Sequence, residues 1–129
     1  MDCIFCKIIN GELPSYTIYE DETVKVFLNI NPSTNGHCLL IPKKHVVTIE
    51  EIDDNLMVHM LSVIKKVYPT LKDKLKCEGL TISQNNDYGQ EVKHFHIHLT
   101  PRYTNDEHDN TFNKEILNNI EDVYNTIKG

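Results

Sequence analysis

Apolar residues recur at intervals of three and four along two segments of the chain, a spacing that places side chains on one face of an α-helix. The first segment runs from Asp53 to Lys76, and Asp53 or Asp54 can cap its start. Pro69 lies inside it and lacks an amide hydrogen, so we predict a kink or break near Tyr68. The second segment is C-terminal and carries Phe112, Ile116, Leu117, Ile120, Val123, Tyr124 and Ile127.

Five other segments are rich in apolar and β-branched residues and are bounded by turn-forming residues, a pattern typical of β-strands. They run from Tyr16 to Glu20, Thr23 to Asn29, Gly36 to Pro42, Gly79 to Asn85 and His94 to Arg102. Short loops between neighbouring strands favour an antiparallel sheet. Because the helices are inserted between strands rather than alternating with them, we predict an α+β fold. The chain has no glycine fingerprint that would support a Rossmann fold.

Length and composition indicate one domain. The chain has 129 residues, 40% hydrophobic and 25% charged, so we expect residues 1–129 to form a single domain. Its 13 basic and 19 acidic residues give a net charge of −6, and Arg102 is the only arginine. This balance disfavours general nucleic-acid binding. A phosphate-bearing ligand must therefore be held mainly by groups other than guanidinium.

The N-terminal segment resembles neither a signal peptide nor a membrane anchor. It lacks a cationic stretch followed by a long apolar core, and no apolar run in the chain approaches the roughly 20 residues that a membrane helix requires. We therefore predict a cytoplasmic protein without a membrane partner. In that reducing compartment, Cys-x-x-Cys is more typical of metal or redox chemistry than of a structural disulfide.

Three histidines stand at alternate positions in one predicted strand. Since successive side chains of a strand point to opposite faces, His94, His96 and His98 share one face, and the apolar residues between them face the core. The pattern could arise by chance on a half-exposed strand. Otherwise, three kinds of chemistry are compatible with three histidines on one face. The histidines could bind a catalytic zinc ion, one could act as a nucleophile assisted by its neighbours, or one could bind metal while another reacts.

The spacing Cys3-x-x-Cys6 is a weak signal that needs two more ligands, and His45 and His94 are available for a Cys2His2 zinc site. A thioredoxin-like redox pair is the rival hypothesis, although two residues before Cys3 leave no room for the strand that precedes such a motif. The third hypothesis is that Cys3 and Cys6 have neither a metal-binding nor a redox role. Cys38 and Cys77 are interpreted as packing residues.

Five motifs follow one another along the chain: Cys3-x-x-Cys6-Lys7-Ile8, Asn29-Ile30-Asn31-Pro32, Gly36-His37-Cys38-Leu39-Leu40-Ile41-Pro42-Lys43-Lys44-His45, Gly89-Gln90 and His94-x-His96-x-His98. In this order they resemble the histidine-triad (HIT) superfamily, in its histidine-triad nucleotide-binding branch. The resemblance covers nearly the whole chain and is weakest over the last 25 or so residues. It implies a five-stranded antiparallel sheet with one long helix and a C-terminal helix, in a protein that commonly forms a homodimer.

The resemblance also implies an activity. Members of this family bind purine nucleotides such as AMP or GMP and cleave bonds at the α-phosphorus of phosphoramidates, aminoacyl adenylates or dinucleoside polyphosphates. On that pattern His96 matches the nucleophile, which forms a transient nucleotidyl-histidine. His98 matches the residue that contacts the phosphate and helps to protonate the leaving group. The main-chain carbonyl of His94 would fix the tautomer of His96.

The remaining site residues follow from the same resemblance. Zinc-bearing relatives use positions that correspond here to Cys3, Cys6, His45 and His94, and a filled tetrahedral shell makes the zinc ion structural. Positions matching nucleotide contacts are Asn29, Ile30, Asn85, Gly89, Gln90, Val92, His96 and His98. This chain departs from the family in having Asn29 where an aspartate is usual, a loop about two residues shorter at 86–88, and Lys93 before the histidines.

Three hypotheses therefore stand: a phosphoramidase-like hydrolase that forms a nucleotidyl-histidine, a nucleotide-binding interaction protein with vestigial hydrolysis, and a catalytic zinc hydrolase that uses all three histidines. His37, His59 and His108 have no partner at ligand spacing and are interpreted as surface or packing residues.

Overall fold

A five-stranded antiparallel sheet and three α-helices make up the part of the chain that the structure describes. It is a computed structural model that describes residues 3–107 and 113–129. The elements are α1 (Ile4–Ile9), β1 (Thr17–Glu20), β2 (Val24–Leu28), β3 (Cys38–Pro42), α2 (Asp54–Leu75), β4 (Gly79–Gln84), β5 (Ile97–Arg102), a 3-10 turn (Lys114–Ile116) and α3 (Ile120–Lys128). Their arrangement confirms the predicted α+β class.

The strands lie in the order β1-β2-β3-β5-β4, and every neighbouring pair is antiparallel. The central strand β3 is buried along its whole length, because both faces of the sheet are covered. One face packs against α2, with Cys38 and Leu40 in that core. Leu39 and Ile41 point to the other face and pack with Phe5 and Ile8 of α1.

The long helix α2 starts where the sequence predicts. Asp53 is its N-cap, and the carboxylate accepts the amide hydrogens of Asn55 and Leu56. The predicted break near Tyr68 is wrong, because α2 continues through Pro69 to Leu75. Pro69 lies on the exposed side of the helix, where water can satisfy the carbonyl group that loses its amide partner.

Both chain ends differ from the prediction. The sequence pattern predicts no helix at the N-terminus, where α1 spans six residues. At the C-terminus the predicted stripe is divided between the 3-10 turn and α3, and its described members are exposed. Phe112 and His108 lie outside the described residues. Across residues 3–107 and 113–129, none of the helices combines the length and apolar character needed to cross a membrane.

Candidate active site and metal centre

The predicted histidine strand begins later than expected, since β5 starts at Ile97 and both His94 and His96 precede it. The pairing of β3 with β5 covers only Cys38–Leu40, and the carbonyl oxygen of Pro42 lies 2.8 Å from Nε2 of His94. That carbonyl therefore receives a side chain in place of a strand partner. The predicted alternation nevertheless holds, because the three apolar residues of this stretch (Phe95, Ile97, Leu99) all lie in the core beneath α2.

His96 is 4% exposed, and its orientation is fixed by the backbone. Nδ1 lies 2.7 Å from the carbonyl oxygen of His94. Because a carbonyl oxygen only accepts hydrogen bonds, Nδ1 must carry the hydrogen, and Nε2 then holds the free lone pair. Burial lowers the pKa of His96 below its ordinary value, which keeps the ring neutral near pH 7. A neutral imidazole with a free Nε2 has the protonation state of a nucleophile.

His98 is oriented by a residue that the sequence analysis assigned to the surface or to packing. The amide of Ser33 donates to Nδ1 of His37 at 3.0 Å, so the hydrogen of the neutral His37 ring lies on Nε2. That Nε2 donates to Nδ1 of His98 at 2.9 Å. Neutral His98 consequently carries its own hydrogen on Nε2, the nitrogen that His37 leaves free.

Burial and the neighbouring histidines keep the His98 ring neutral. Burial, followed by the proximity of His96 and His37, lowers the pKa of His98 to about 4. His96 and His98 lie with ring centroids 4.9 Å apart. One histidine therefore presents a lone pair, and its neighbour presents an N–H donor. The role of His37 depends on the pairing of β3 with β5, which spacing along the chain does not reveal.

The four predicted metal ligands come together. One potential donor atom from each of Cys3, Cys6, His45 and His94 lies within 4.8 Å of the others. Nδ1 of His94 is 3.3 Å from Sγ of Cys3 and 3.2 Å from Nδ1 of His45, and Sγ of Cys6 is 3.3 Å from the same His45 atom. Zinc bond lengths with tetrahedral angles place neighbouring donors about 3.3 to 3.8 Å apart. The cluster therefore fits a tetrahedral metal ion.

The surrounding bonds suit a metal as well. The carbonyl of Pro42 accepts from Nε2 of His94, which leaves Nδ1 as the nitrogen with a free lone pair in the cluster. Burial beside Cys3 raises the pKa of Cys6 to about 11, so a cation is needed to stabilise the thiolate there. Neither His96 nor His98 belongs to this group, and four donors already complete the shell. The geometry therefore disfavours a catalytic zinc ion held by all three histidines.

Phe5 lies between the four-residue Cys2His2 cluster and His96. It stands between the two cysteines in α1 and is 5% exposed. Its ring packs edge-on against His94 and His96, with centroid separations of 5.8 and 5.1 Å. The short α1 helix therefore covers the histidines on the face of the sheet opposite α2.

An apolar cavity of about 560 Å³ opens beside Phe5, between α1 and the first strands. Asn29 and Ile30, both predicted as nucleotide contacts, line it. Ile30 is 80% exposed and forms the rim rather than a wall. The side-chain oxygen of Asn29 accepts the amide hydrogen of Asn31 at 2.9 Å, which leaves the NH2 group as its other polar atom. The other lining residues are Ile4, Ile8, Leu13, Pro14, Ser15, Tyr16, Phe27, Leu28 and Leu39.

The remaining predicted contacts belong to the loop between β4 and β5. Asn85 and Gly89 are exposed, and Gly89 has a φ of +92°, which favours glycine. Gln90 is buried, and its side chain bonds the carbonyl of Val47 and the amide of Asp87. The side chain of Gln90 therefore holds the loop in place.

Val92 leads from this loop back to the sheet, where it packs with the residues around Phe5. Lys93, noted above as a departure from the family, turns towards the same loop. Its ammonium group donates to the carbonyls of Asp87 and Gln90 at 3.2 and 3.0 Å. Two carbonyls within the loop, on either side of Gly89, are thus held by a side chain that carries a positive charge.

Comparison with known proteins identifies the family to which this chain belongs. The HIT domain matches residues 10–105. An uncharacterized HIT-like protein of Methanocaldococcus jannaschii is 43% identical over 129 residues, which cover 98% of this chain and 99% of that protein. The adenosine 5'-monophosphoramidase HNT1 of Candida albicans is 40% identical over 106 residues, covering 78% of this chain and 70% of that protein.

A solved structure resembles this one in fold. The crystal structure of a Zn-bound histidine triad family protein from Mycobacterium smegmatis superposes with a TM-score of 0.79 at 33% identity. The match covers 88% of this chain and 84% of that one. Cys3 and Cys6 precede the range matched by the HIT domain, so the case for a metal in this chain depends on the geometry of the four donors.

Proposed function

Because this chain belongs to the HIT domain family, we propose that it is a purine nucleotide hydrolase that cleaves at the α-phosphorus through a nucleotidyl group on His96. We place all 129 residues in one domain of this family. The observation that carries the proposal is the 2.7 Å bond from Nδ1 of His96 to the carbonyl of His94, which leaves Nε2 as a free lone pair. The phosphoramidase activity named for the Candida albicans relative supports it.

The proposed reaction has two displacements at phosphorus. Nε2 of His96 attacks the α-phosphorus, the bond to the leaving group breaks, and a nucleotidyl-histidine forms. Water then attacks the same phosphorus, the P–N bond breaks, and the nucleoside monophosphate leaves with His96 restored. The Nε2 hydrogen of His98 points a donor at the site, where it stabilises a phosphoryl oxygen or the departing group.

The apolar cavity beside Phe5 is the proposed base pocket. Its volume of about 560 Å³ and its aliphatic and aromatic walls suit a flat purine, as in AMP or GMP. Asn29 lies at its edge and presents an NH2 donor to the ribose. Gly89 and the backbone amides near it are proposed to hold the phosphate side, since Arg102 is already engaged by Asp106 and Glu107.

Zinc is the metal we propose for the Cys2His2 cluster. Two thiols and two imidazoles are ligands that zinc prefers, and a shell filled by the protein makes the ion structural. When bound, the ion would crosslink the two cysteines at the start of α1 to His45 and His94. We keep the cytoplasm as the proposed location, where free cysteines persist.

A homodimer is the proposed assembly. Strand β4 is an edge of the sheet, and Ile82 within it is 53% exposed. Ile82 pairs with Leu99, so it points to the α2 side, where Val58 and Leu61 on α2 are also exposed. Exposed apolar residues on an edge strand, and on the helix that covers the same face of the sheet, suit a symmetric contact. Light scattering would test it, with Ile82→Glu expected to give monomers.

Mass spectrometry of protein quenched during turnover of adenosine 5'-phosphoramidate tests the function. The wild type is expected to carry an added AMP on His96, whereas His96→Ala carries none and loses about a thousandfold in turnover. His59→Gln is the matched control, since His59 bonds Asp21 outside the site. Tight AMP binding with turnover unchanged in His96→Ala would contradict the hydrolase and favour the interaction protein with vestigial activity.

A further inference from the structure

The two cysteines of α1 have an arrangement that serves redox chemistry as well as metal binding. Cys3 is the N-cap of the helix and Cys6 lies in its first turn. The amide of Cys6 donates to Sγ of Cys3 at 3.3 Å. A Cys-x-x-Cys pair in which the second amide bonds the first sulfur holds the two side chains next to each other, as formation of a local disulfide requires. A redox pair of this kind lies at the start of a helix, a feature that the sequence pattern does not predict here and that the structure shows.

The distance between the two sulfur atoms allows a bond. Both sulfurs belong to a group of atoms within 4.8 Å of one another. A disulfide closes at about 2.05 Å between sulfurs, with Cβ atoms about 3.5 to 4.5 Å apart. Side-chain rotation with a small backbone adjustment closes this gap. Bridging to a cysteine elsewhere in the chain is not required.

Accessibility restricts oxidation to this pair. Cys3 and Cys6 are partly exposed, whereas Cys38 and Cys77 are 0% and 5% exposed. Burial raises the pKa of Cys38 to about 12, which keeps it a thiol. Only thiolates in contact with solvent react quickly with peroxides. The chain therefore holds one reactive pair and two internal reference cysteines.

We propose that Cys3 and Cys6 form a thiol–disulfide switch, in which oxidation by a peroxide replaces the zinc ion with a disulfide. This inference rests on the structural zinc of the proposed function and is independent of hydrolysis. Its immediate consequence is that His45 and His94 lose the ion they would share with α1.

The step balances. One thiolate attacks an oxygen of hydrogen peroxide, the O–O bond breaks, and hydroxide leaves a sulfenic acid on that sulfur. The second thiolate attacks this sulfur, the S–O bond breaks, a second hydroxide leaves, and the disulfide forms. The two thiolates supply two electrons, and two solvent protons convert the hydroxides to water. The zinc ion loses two of its four ligands and dissociates.

The switch reaches the nucleotide site through Phe5. Closing the disulfide moves Cys3 and Cys6, which lie two residues before and one residue after Phe5, and the ring of Phe5 packs against His96 and lines the apolar cavity. A displacement of about 1 Å at such a position costs up to about a hundredfold in rate. We therefore expect oxidation to reduce turnover by about tenfold or more, and thiol reductants with zinc to restore it.

The test titrates the reduced, zinc-loaded protein with hydrogen peroxide and follows released zinc with a chromogenic chelator. One zinc ion is expected to leave for each pair of thiols lost, and peptide mapping should find Cys3 joined to Cys6. Cys77→Ala is the matched control and should release zinc in the same way. Cys3→Ser, even if it folds poorly, should form no intramolecular disulfide between these positions.

Several results would overturn the proposal: reduced protein that binds no zinc, zinc kept after the thiols are oxidised, sulfinic acid instead of a disulfide, or oxidation that begins at Cys38 or Cys77. Nucleotidyl-histidine formation by the reduced protein is measured in parallel. A failure of the switch then stands apart from a failure of the hydrolase, because the zinc and thiol measurements need no nucleotide.

Discussion

The carbonyl oxygen of His94 lies 2.7 Å from Nδ1 of His96 and fixes its tautomer. The same residue places its own Nδ1 in the metal cluster and bonds the carbonyl of Pro42 through Nε2. One residue therefore contributes its side chain to the proposed metal site and its backbone to the proposed nucleophile. A shift of the His94 backbone would therefore change both the metal cluster and the hydrogen bond that orients His96.

Removal of zinc is expected to lower both stability and turnover. The four ligands come from α1, from the segment after β3 and from the segment before β5, so the ion would crosslink regions distant in sequence. Structural zinc sites contribute several kcal/mol to folding. Thermal unfolding with and without a chelator should show a lower Tm for the metal-free protein, and kcat should fall with it. His59→Gln should show the same dependence, and equal Tm values for both forms would contradict the structural role.

His37 is expected to affect turnover although it is not a proposed ligand of the phosphate. His37→Ala removes the hydrogen bond that fixes the Nδ1 acceptor of His98, so the His98 ring should populate both tautomers. A loss of about tenfold in kcat with little change in KM corresponds to one hydrogen bond of about 1.4 kcal/mol. ¹⁵N NMR of the imidazole rings would detect the change.

His37→Gln, which keeps a side-chain donor, is the companion variant. If its amide reaches His98, kcat should recover in part and the Nε2–H tautomer should again dominate. A wild-type His98 that carries its hydrogen on Nδ1 would contradict this account of the site.

The sequence predicted which residues lie together better than the hydrogen bonds that join them. Alternation placed His94, His96 and His98 on one face, and the structure keeps that face although β5 starts at Ile97. Tautomers and the bond between His37 and His98 depend on strand register, to which local spacing gives no access. The helix α1 was missed because six residues are too few to show a helical period.

Errors in the helices have a similar origin. Pro69 predicts a kink or break in α2, and the helix is unbroken because the consequence of a missing amide depends on whether the orphaned carbonyl faces water. The C-terminal stripe was correct in period for α3, yet the described part of that stripe is exposed. Periodicity identifies a helix face and does not by itself identify what covers that face.

Stability is expected to fall as the pH falls from about 6.5 towards 4, in part because of His98. Its folded pKa of about 4 lies below the unfolded value near 6.5, so the unfolded chain binds a proton in this window and the folded chain does not. His96 and His37 face the ring, and burial lowers their pKa values too. The decline is smaller than the shift alone would give, because His98 is partly solvated.

Urea denaturation at pH 7 and pH 5 would measure this dependence. His98→Asn keeps an acceptor for His37 but has no titrating ring, so its stability should decline less over the same interval. Lys65→Met, an exposed position on α2, should decline like the wild type. A decline in His98→Asn equal to that of the wild type would show that His98 contributes nothing.

Lys93 is expected to act on the nucleotide through the loop rather than through its charge. Its ammonium group bonds the carbonyls of Asp87 and Gln90 on both sides of Gly89. Asp87 and Gly89 have φ values of +60° and +92°, so the loop holds a shape that needs support. Lys93→Met removes these donors and should raise KM for the phosphoramidate by about tenfold, with faster amide hydrogen exchange across residues 85–92.

Ionic strength separates the two roles of Lys93. An exposed charge that attracted phosphate directly would lose its effect as salt screens it over a Debye length of about 8 Å at 0.15 M. A group that holds two loop carbonyls keeps its effect, because removing it changes the shape of the site. The ratio of KM between Lys93→Met and wild type should therefore be constant from low to high salt, and Lys65→Met should leave KM unchanged. A ratio that falls towards one as salt increases would assign Lys93 to electrostatic attraction instead.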